Sequence, residues 1–179
     1  MRSLILAALV AAVAGVVRAA PAASEADREI LTTVTAAQAV AFVEARGGTV
    51  VSIDAGEEGW AVNFRFASGL NAYAEGYDCA SGPGPDAVCS DIELGAVYTA
   101  DDEAHALRLE RDLSFIWVAD FADTETDEYT VWRRDCLHRG MTRAQVATLF
   151  EIMDDQLIAV TASIWPEDAV APPNTPVET

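Results

Sequence analysis

The chain has 179 residues, which suits one domain with a sizeable core and is too short for two ordinary domains. It carries 11 Lys and Arg against 29 Asp and Glu, giving a formal charge of −18, and it contains no lysine. Because proteins bind nucleic acid mainly by neutralising phosphates, this charge argues against a nucleic-acid partner, and it also disfavours binding to anionic lipid. A hydrophobic fraction of 51% excludes an intrinsically disordered chain.

Residues 1–19 have the composition of a secretory signal peptide. A basic residue, Arg2, precedes an apolar run over residues 4–17, and small residues stand before the predicted cleavage site after Ala19. Cleavage after Ala22 is the second choice. The run is too short and too rich in alanine to span a bilayer comfortably, so no stable membrane anchor is expected after cleavage. The mature protein is predicted to be periplasmic or secreted.

The three cysteines would then lie in an oxidising compartment. Three single pairings exist, and spacing alone does not decide among them. Cys79 and Cys89 flank a segment of loop composition, rich in Gly and Pro, so we favour a disulfide between them. In the chain-entropy model this bridge would stabilise the fold by about 2–3 kcal/mol. Cys136 stays unpaired, and we expect it to be a buried thiol in a strand.

A helix and four strands follow a polar linker over residues 20–30. Thr35 and Gln38 match the capping-box pattern at the start of the helix, and Gly47 and Gly48 are typical of its end. Apolar and polar residues alternate in the strands, as in a sheet with one buried face. The strand residues are Val51 and Ile53; Trp60, Val62, Phe64 and Phe66; residues 70–77, after a hairpin loop at 67–69; and Ile92, Leu94, Ala96 and Tyr98.

A second helix, two strands and a third helix complete the predicted order. Thr99 is a suitable N-cap for the second helix, and Thr142 and Gln145 form a capping box at the start of the third. The fifth strand spans residues 115–121, and an acidic connection at 123–128 leads to the sixth strand. The third helix is amphipathic through Val146, Leu149, Phe150, Met153, Leu157 and Val160.

Residues 31–162 are therefore predicted to form one α+β domain. Its sheet is antiparallel, its helices pack on one face, and its element order is α-β-β-β-β-α-β-β-α. Residues 163–179 are rich in proline and are predicted to be a disordered tail. The aromatic residues expected in the core face of the sheet are Trp60, Phe64, Phe66, Trp117 and Phe121.

Several segments resemble the YbjN-domain family, described as bacterial sensory transduction regulators, whose fold is similar to that of type III secretion chaperones. They are the capped helix ending at Gly47, the hairpins through 60–66 and 70–77, the sequence Tyr77-Asp78-Cys79 with Cys89-Ser90-Asp91-Ile92-Glu93-Leu94, and the helix, hairpin and helix across 101–157. The likeness covers residues 30–160. The arginine-rich segment 132–136 departs from the family, which more often has an acidic-apolar strand there. The resemblance implies no enzyme activity and a small protein-interaction or chaperone-like module, with a homodimer as one form of partnership.

Residues for catalysis are scarce in the sequence. It holds two histidines, His105 and His138, and no nucleophile-elbow, phosphate-loop or zinc-protease motif. We therefore predict a protein that is not an enzyme and uses no cofactor or metal. Cys136 and His138 are two residues apart in a predicted strand, so both can face one side, as a thiolate–imidazole pair requires. This pair makes an envelope thiol enzyme the alternative function.

Two further surfaces bear on binding. The acidic segment 123–128 resembles a calcium loop but lacks its central glycine and distal glutamate, so we predict a solvated hairpin, with weak divalent-cation binding as a second alternative. Tyr73 and Tyr77 share a strand face with Asn71 and Glu75, a half-polar aromatic surface typical of recognition patches. The leading hypothesis is an exported, non-catalytic module that binds an unknown protein or peptide through its sheet or a dimer face.

Overall fold

The computed structural model describes residues 24–99, 117–120 and 128–164. Four predicted features lie wholly or largely outside these residues: the signal peptide, the second helix, the acidic connection at 123–128 and the proline-rich tail. Phe121 also lies outside them.

Helix α1, Ala36–Glu44, begins and ends as predicted. Thr35 is its N-cap: its hydroxyl accepts a hydrogen bond from the Gln38 backbone, and the Gln38 side chain accepts one from the Thr35 backbone. Gly47 has a φ of +74°, a left-handed conformation that suits glycine after a helix. The buried face of α1 consists of Ala36, Ala39, Phe42 and Val43.

Six antiparallel strands form the main sheet. Their bounds are β2 Thr49–Ala55, β3 Trp60–Arg65, β4 Asn71–Cys79, β5 Cys89–Thr99, β6 Trp117–Asp120 and β7 Glu128–Cys136. They lie in the order β2-β3-β4-β5-β7-β6, so β5 pairs with β7 and β6 forms one edge. The first four strands follow one another as hairpins, and Gly69, with a φ of +91°, occupies the left-handed position of the predicted loop between β3 and β4.

A second, two-stranded sheet joins β1, Ile30–Leu31, to β8, Met141–Thr142. A 3-10 helix, Ala26–Arg28, precedes β1 within the segment predicted to be a linker. Leu31 is buried, and its pairing with β8 holds it in the core. This burial explains why the segment has regular structure. The Arg143 backbone N–H also donates to the Glu29 carbonyl, which ties this segment to the start of the last helix.

Helix α2, Arg143–Ile164, covers the same face of the sheet as α1. The predicted capping box is present: the Gln145 side chain accepts from the Thr142 backbone, and the Thr142 hydroxyl accepts from the Gln145 backbone. The Phe150 ring lies 5.5 Å from that of Phe42 and 6.1 Å from that of Phe64, so helices and sheet share one core. The buried residues of α2 are Val146, Leu149, Phe150, Met153, Leu157 and Val160, all as predicted.

The predicted alternation is confirmed in β3, whereas Val51 and Ile53 on β2 are 68% and 47% exposed and do not belong to the core face. Trp60, Phe64 and Phe66 are buried, whereas Trp117, predicted to lie with them, is 58% exposed. Trp117 pairs with Trp132 across β6 and β7 and faces away from the helices. The prediction was wrong because alternation groups the residues of one strand face without deciding which face meets the core.

Candidate functional site

The sheet face opposite the helices, here called the outer face, carries the residues with the clearest functional chemistry. On β4, Tyr73, Glu75 and Tyr77 alternate with residues that are buried beneath the helices. Strand pairing places Tyr73 opposite Gly95 and Glu75 opposite Glu93 on β5. The predicted interaction residues Tyr73 and Tyr77 are therefore both on this face.

A line of aromatic side chains crosses the outer face at right angles to the strands. We call Tyr73, Trp132 and Trp117 the aromatic row: Gly95 lies opposite both Tyr73 and Trp132, and Trp132 lies opposite Trp117. A Cβ atom at Gly95 would stand 2.5 Å from the Tyr73 ring, so that ring lies over the glycine. The two indole rings are stacked, with centroids 6.1 Å apart. Beside them, Val97 is 52% exposed, so apolar and aromatic surface faces solvent here.

Hydrogen bonds and an ion pair order the polar part of the outer face. The Tyr73 hydroxyl donates to Glu93 at 3.1 Å, and Arg134 approaches the other oxygen of that carboxylate at 3.3 Å. The Tyr77 hydroxyl donates to Glu75 at 2.6 Å, and the Arg134 guanidinium lies 3.6 Å from the centroid of the Tyr77 ring. Burial is the main cause that raises the pKa of both tyrosines, so their hydroxyls stay protonated donors.

Glu93 gives this face a dependence on pH. Burial raises the pKa of Glu93 above its ordinary value of 4.5, although hydrogen bonds from Tyr73 and Arg134 act in the opposite direction. The folded protein therefore binds the carboxyl proton of Glu93 more tightly than the unfolded chain does. As a result, the contribution of Glu93 to the free energy of unfolding falls as the pH rises through its raised pKa. We expect the unfolding free energy of Glu93→Gln to increase relative to that of wild type as the pH is raised from 4.5. Urea unfolding at a series of pH values measures both. A difference in unfolding free energy that stays constant with pH would contradict this expectation.

Three side chains of different chemistry meet where β5 begins and β7 ends. We call Asp91, Cys136 and His138 the thiol cluster: strand pairing sets Asp91 opposite Cys136, and His138 lies in the turn that follows. One ligand atom from each lies within 4.8 Å of the other two, and the Cys136 sulfur contacts His138 Nδ1. The structure thus brings together the two residues of the predicted thiol pair. Asp91 was not predicted, because only the register of β5 on β7 places it there.

Cys136 is exposed, so its expected burial was wrong. It is the last residue of β7. A hydrogen bond to Asp91 is the main cause that raises the pKa of the Cys136 thiol, and burial adds to it. Since the thiolate is the nucleophilic form, the carboxylate disfavours the chemistry of a thiol enzyme.

The predicted disulfide is present between Cys79 and Cys89, which are opposite one another on β4 and β5. The Cα atoms are 3.9 Å apart. The Cys89 backbone also exchanges two hydrogen bonds with Val34, at 2.8 and 3.0 Å, which anchors the start of β5. The bridge therefore fixes the end of the sheet from which Asp91 projects. Among the residues that the structure describes, no helix is both long and apolar enough to cross a membrane.

Comparison with known proteins identifies similar folds. No protein-family model and no curated protein sequence matches the chain. YbjN from E. coli, a candidate transcription regulator, is similar in structure, with a TM-score of 0.54 and 12% identity over 79% of this chain and 95% of YbjN. An uncharacterised protein from Methanothermobacter thermautotrophicus gives a TM-score of 0.46 and 10% identity over 75% of this chain and 99% of its own. The likeness to YbjN shows that the protein has a YbjN-like α+β fold.

Proposed function

We propose that the protein is an exported, non-catalytic module that binds a polypeptide partner through its outer face. The observation that carries this proposal is the aromatic row, in which three strands present Tyr73, Trp132 and Trp117 on the side of the sheet away from the helices. Tyrosine and tryptophan supply large contact areas at low entropic cost and are enriched where proteins bind one another.

Charge selects the kind of partner. The outer face presents the carboxylates of Glu75 and Glu93 beside the aromatic row, and Arg134 pairs with the second of them. The chain as a whole has a charge of −18. A basic segment with apolar side chains complements this surface, whereas a second copy of the chain would meet like charge. YbjN is described as a candidate transcription regulator. For the same reason of charge, such a role has little support for this chain, since DNA is itself a polyanion.

Export is part of the proposal. It rests on the signal-peptide composition of residues 1–19 and on the Cys79–Cys89 disulfide, a bond that persists in oxidising compartments. The thiol-enzyme alternative has less support, because the Asp91 carboxylate raises the pKa of the Cys136 thiol.

Site-specific crosslinking in the host tests the proposal. A photoreactive amino acid replaces Trp117 on the outer face or, as the matched control, Ile158, which is exposed on α2. We expect a discrete adduct from position 117 and none from position 158, with the captured chain starting at Ala20 and the linked partner peptide carrying net positive charge. Equal labelling from both positions, or no adduct from position 117, would contradict the proposed surface.

The linked peptide then supplies a direct binding measurement. We expect Trp132→Ala to weaken binding of this peptide by about tenfold or more, since truncation of a hot-spot aromatic residue costs about 2 kcal/mol or more and about 1.4 kcal/mol corresponds to tenfold in Kd. Ile158→Ala should leave the Kd unchanged, and added salt should weaken binding to the wild-type protein. Calorimetry with the purified protein measures all three. Equal affinities of the two variants would show that the peptide binds elsewhere.

A further inference from the structure

We propose that Asp91, Cys136 and His138 form a binding site for Zn²⁺. The three residues converge through the fold: Asp91 and Cys136 are neighbours across β5 and β7, and His138 is two residues beyond the end of the shared ladder. Their ligand atoms already lie within 4.8 Å of one another. Ligand atoms around a tetrahedral zinc ion are roughly 3.5 Å apart, given bond lengths of about 2.0–2.3 Å, so small side-chain rotations complete the geometry.

The donor set selects the class of metal. A thiolate, an imidazole and a carboxylate are the three ligand types that zinc takes from proteins. Calcium and magnesium prefer oxygen ligands alone, and a sulfur donor makes the site unsuitable for them. The site therefore differs in both residues and chemistry from the acidic segment 123–128 considered above for weak cation binding.

An unpartnered carboxylate oxygen is a second, independent observation. Asp91 Oδ1 is buried and has no hydrogen-bond partner, so this oxygen is an unsatisfied acceptor even though the carboxylate is also hydrogen-bonded to the Cys136 thiol. Coordination of a metal ion would satisfy it. The Cys136 and His138 side chains are exposed, so an ion can enter from solvent, and three protein ligands leave a fourth position open.

The disulfide makes the site available and helps to position it. Cys79 and Cys89 are bonded to each other, which leaves Cys136 as the free thiol of the chain. Cys89 is held by the bridge and by its two backbone bonds to Val34, so the strand segment that presents Asp91 is fixed before metal binds. The inference does not depend on the proposed peptide binding, because none of its three ligands belongs to the aromatic row.

Cobalt substitution tests the site in the full-length mature protein with its disulfide intact. Titration of the chelator-treated protein with Co²⁺ should saturate at one equivalent and produce visible absorption bands of a four-coordinate ion together with a sulfur-to-cobalt charge-transfer band. Added Zn²⁺ should remove these bands, and Ca²⁺ should not.

Single substitutions identify the ligands. Cys136→Ser should abolish the charge-transfer band. Asp91→Asn and His138→Ala should each weaken Zn²⁺ binding by about tenfold or more, since even the loss of a residue that only hydrogen-bonds to a metal ligand alters affinity by about 10–100-fold. Asp54→Asn, which removes an exposed carboxylate on β2, is the matched control and should change nothing. Thermal unfolding of each metal-free variant checks that it folds. Absence of binding, or binding that survives Cys136→Ser with equal affinity, would overturn the proposal.

Discussion

Trp60→Ala should lower the free energy of unfolding by about 3–5 kcal/mol, the range for deletion of a buried tryptophan side chain. Trp60 is 0% exposed and belongs to the hydrophobic core. A Cβ atom at Gly76 would stand 2.5 Å from Cε2 of its indole ring and 2.7 Å from the Cys89 sulfur, so ring, backbone and disulfide leave no free space between them. The cavity left by alanine therefore cannot collapse without moving the sheet. Urea unfolding followed by circular dichroism measures the loss.

A second tryptophan provides the control. Trp117→Ala removes the same side chain from a position that is 58% exposed, and we expect a change of about 1 kcal/mol or less. Trp60→Phe should cost less than Trp60→Ala, because it leaves a smaller cavity. Both variants remove the indole N–H, which is buried without a hydrogen-bond partner, so its loss does not distinguish them. Equal losses at positions 60 and 117 would show that burial of Trp60 is not what stabilises the fold.

Loss of the disulfide should produce the second large effect. Replacing both Cys79 and Cys89 with alanine frees a loop whose ends are 10 residues apart, which corresponds to about 2–3 kcal/mol in the chain-entropy model. Reduction of the wild-type protein should lower the unfolding free energy by a similar amount. Denaturant unfolding with and without reductant makes the comparison.

A substitution at the third cysteine distinguishes the effect of losing the disulfide from the effect of removing a cysteine side chain. Cys136 is unpaired and exposed, so Cys136→Ala should change the unfolding free energy by no more than about 0.5 kcal/mol. The double alanine variant should also become insensitive to reductant. A double variant as stable as wild type would mean that strand pairing alone holds β4 to β5.

Local sequence signals predicted most of the fold. The capping boxes at Thr35 and Thr142 and the glycine at position 69 depend on residues close in the chain, and the structure contains all three. The buried face of α2 follows from spacing alone. Ile30 and Leu31 were not recognised as a strand, because their partner β8 lies far away in the sequence.

The candidate site was predicted only where its residues are neighbours in the chain. Cys136 and His138 are two residues apart in the chain, so their contact is local, although His138 lies in the turn after β7 and not in the strand as predicted. Asp91 joins them only through the register of β5 on β7, and Trp117 reaches the outer face only because β6 pairs with the far side of β7. Register between strands distant in sequence is set by the packed core, which no local pattern encodes.

The Cys79–Cys89 bridge also bears on how the protein would withstand proteolysis. It closes the loop over residues 80–88, much of which is exposed and which contains the glycines and prolines of that region. Exposed loops are where proteases cut folded proteins first. A single cut between the two cysteines would leave both fragments covalently joined, with β4 and β5 still paired. Cleavage in this exposed loop thus need not separate the two halves of the domain.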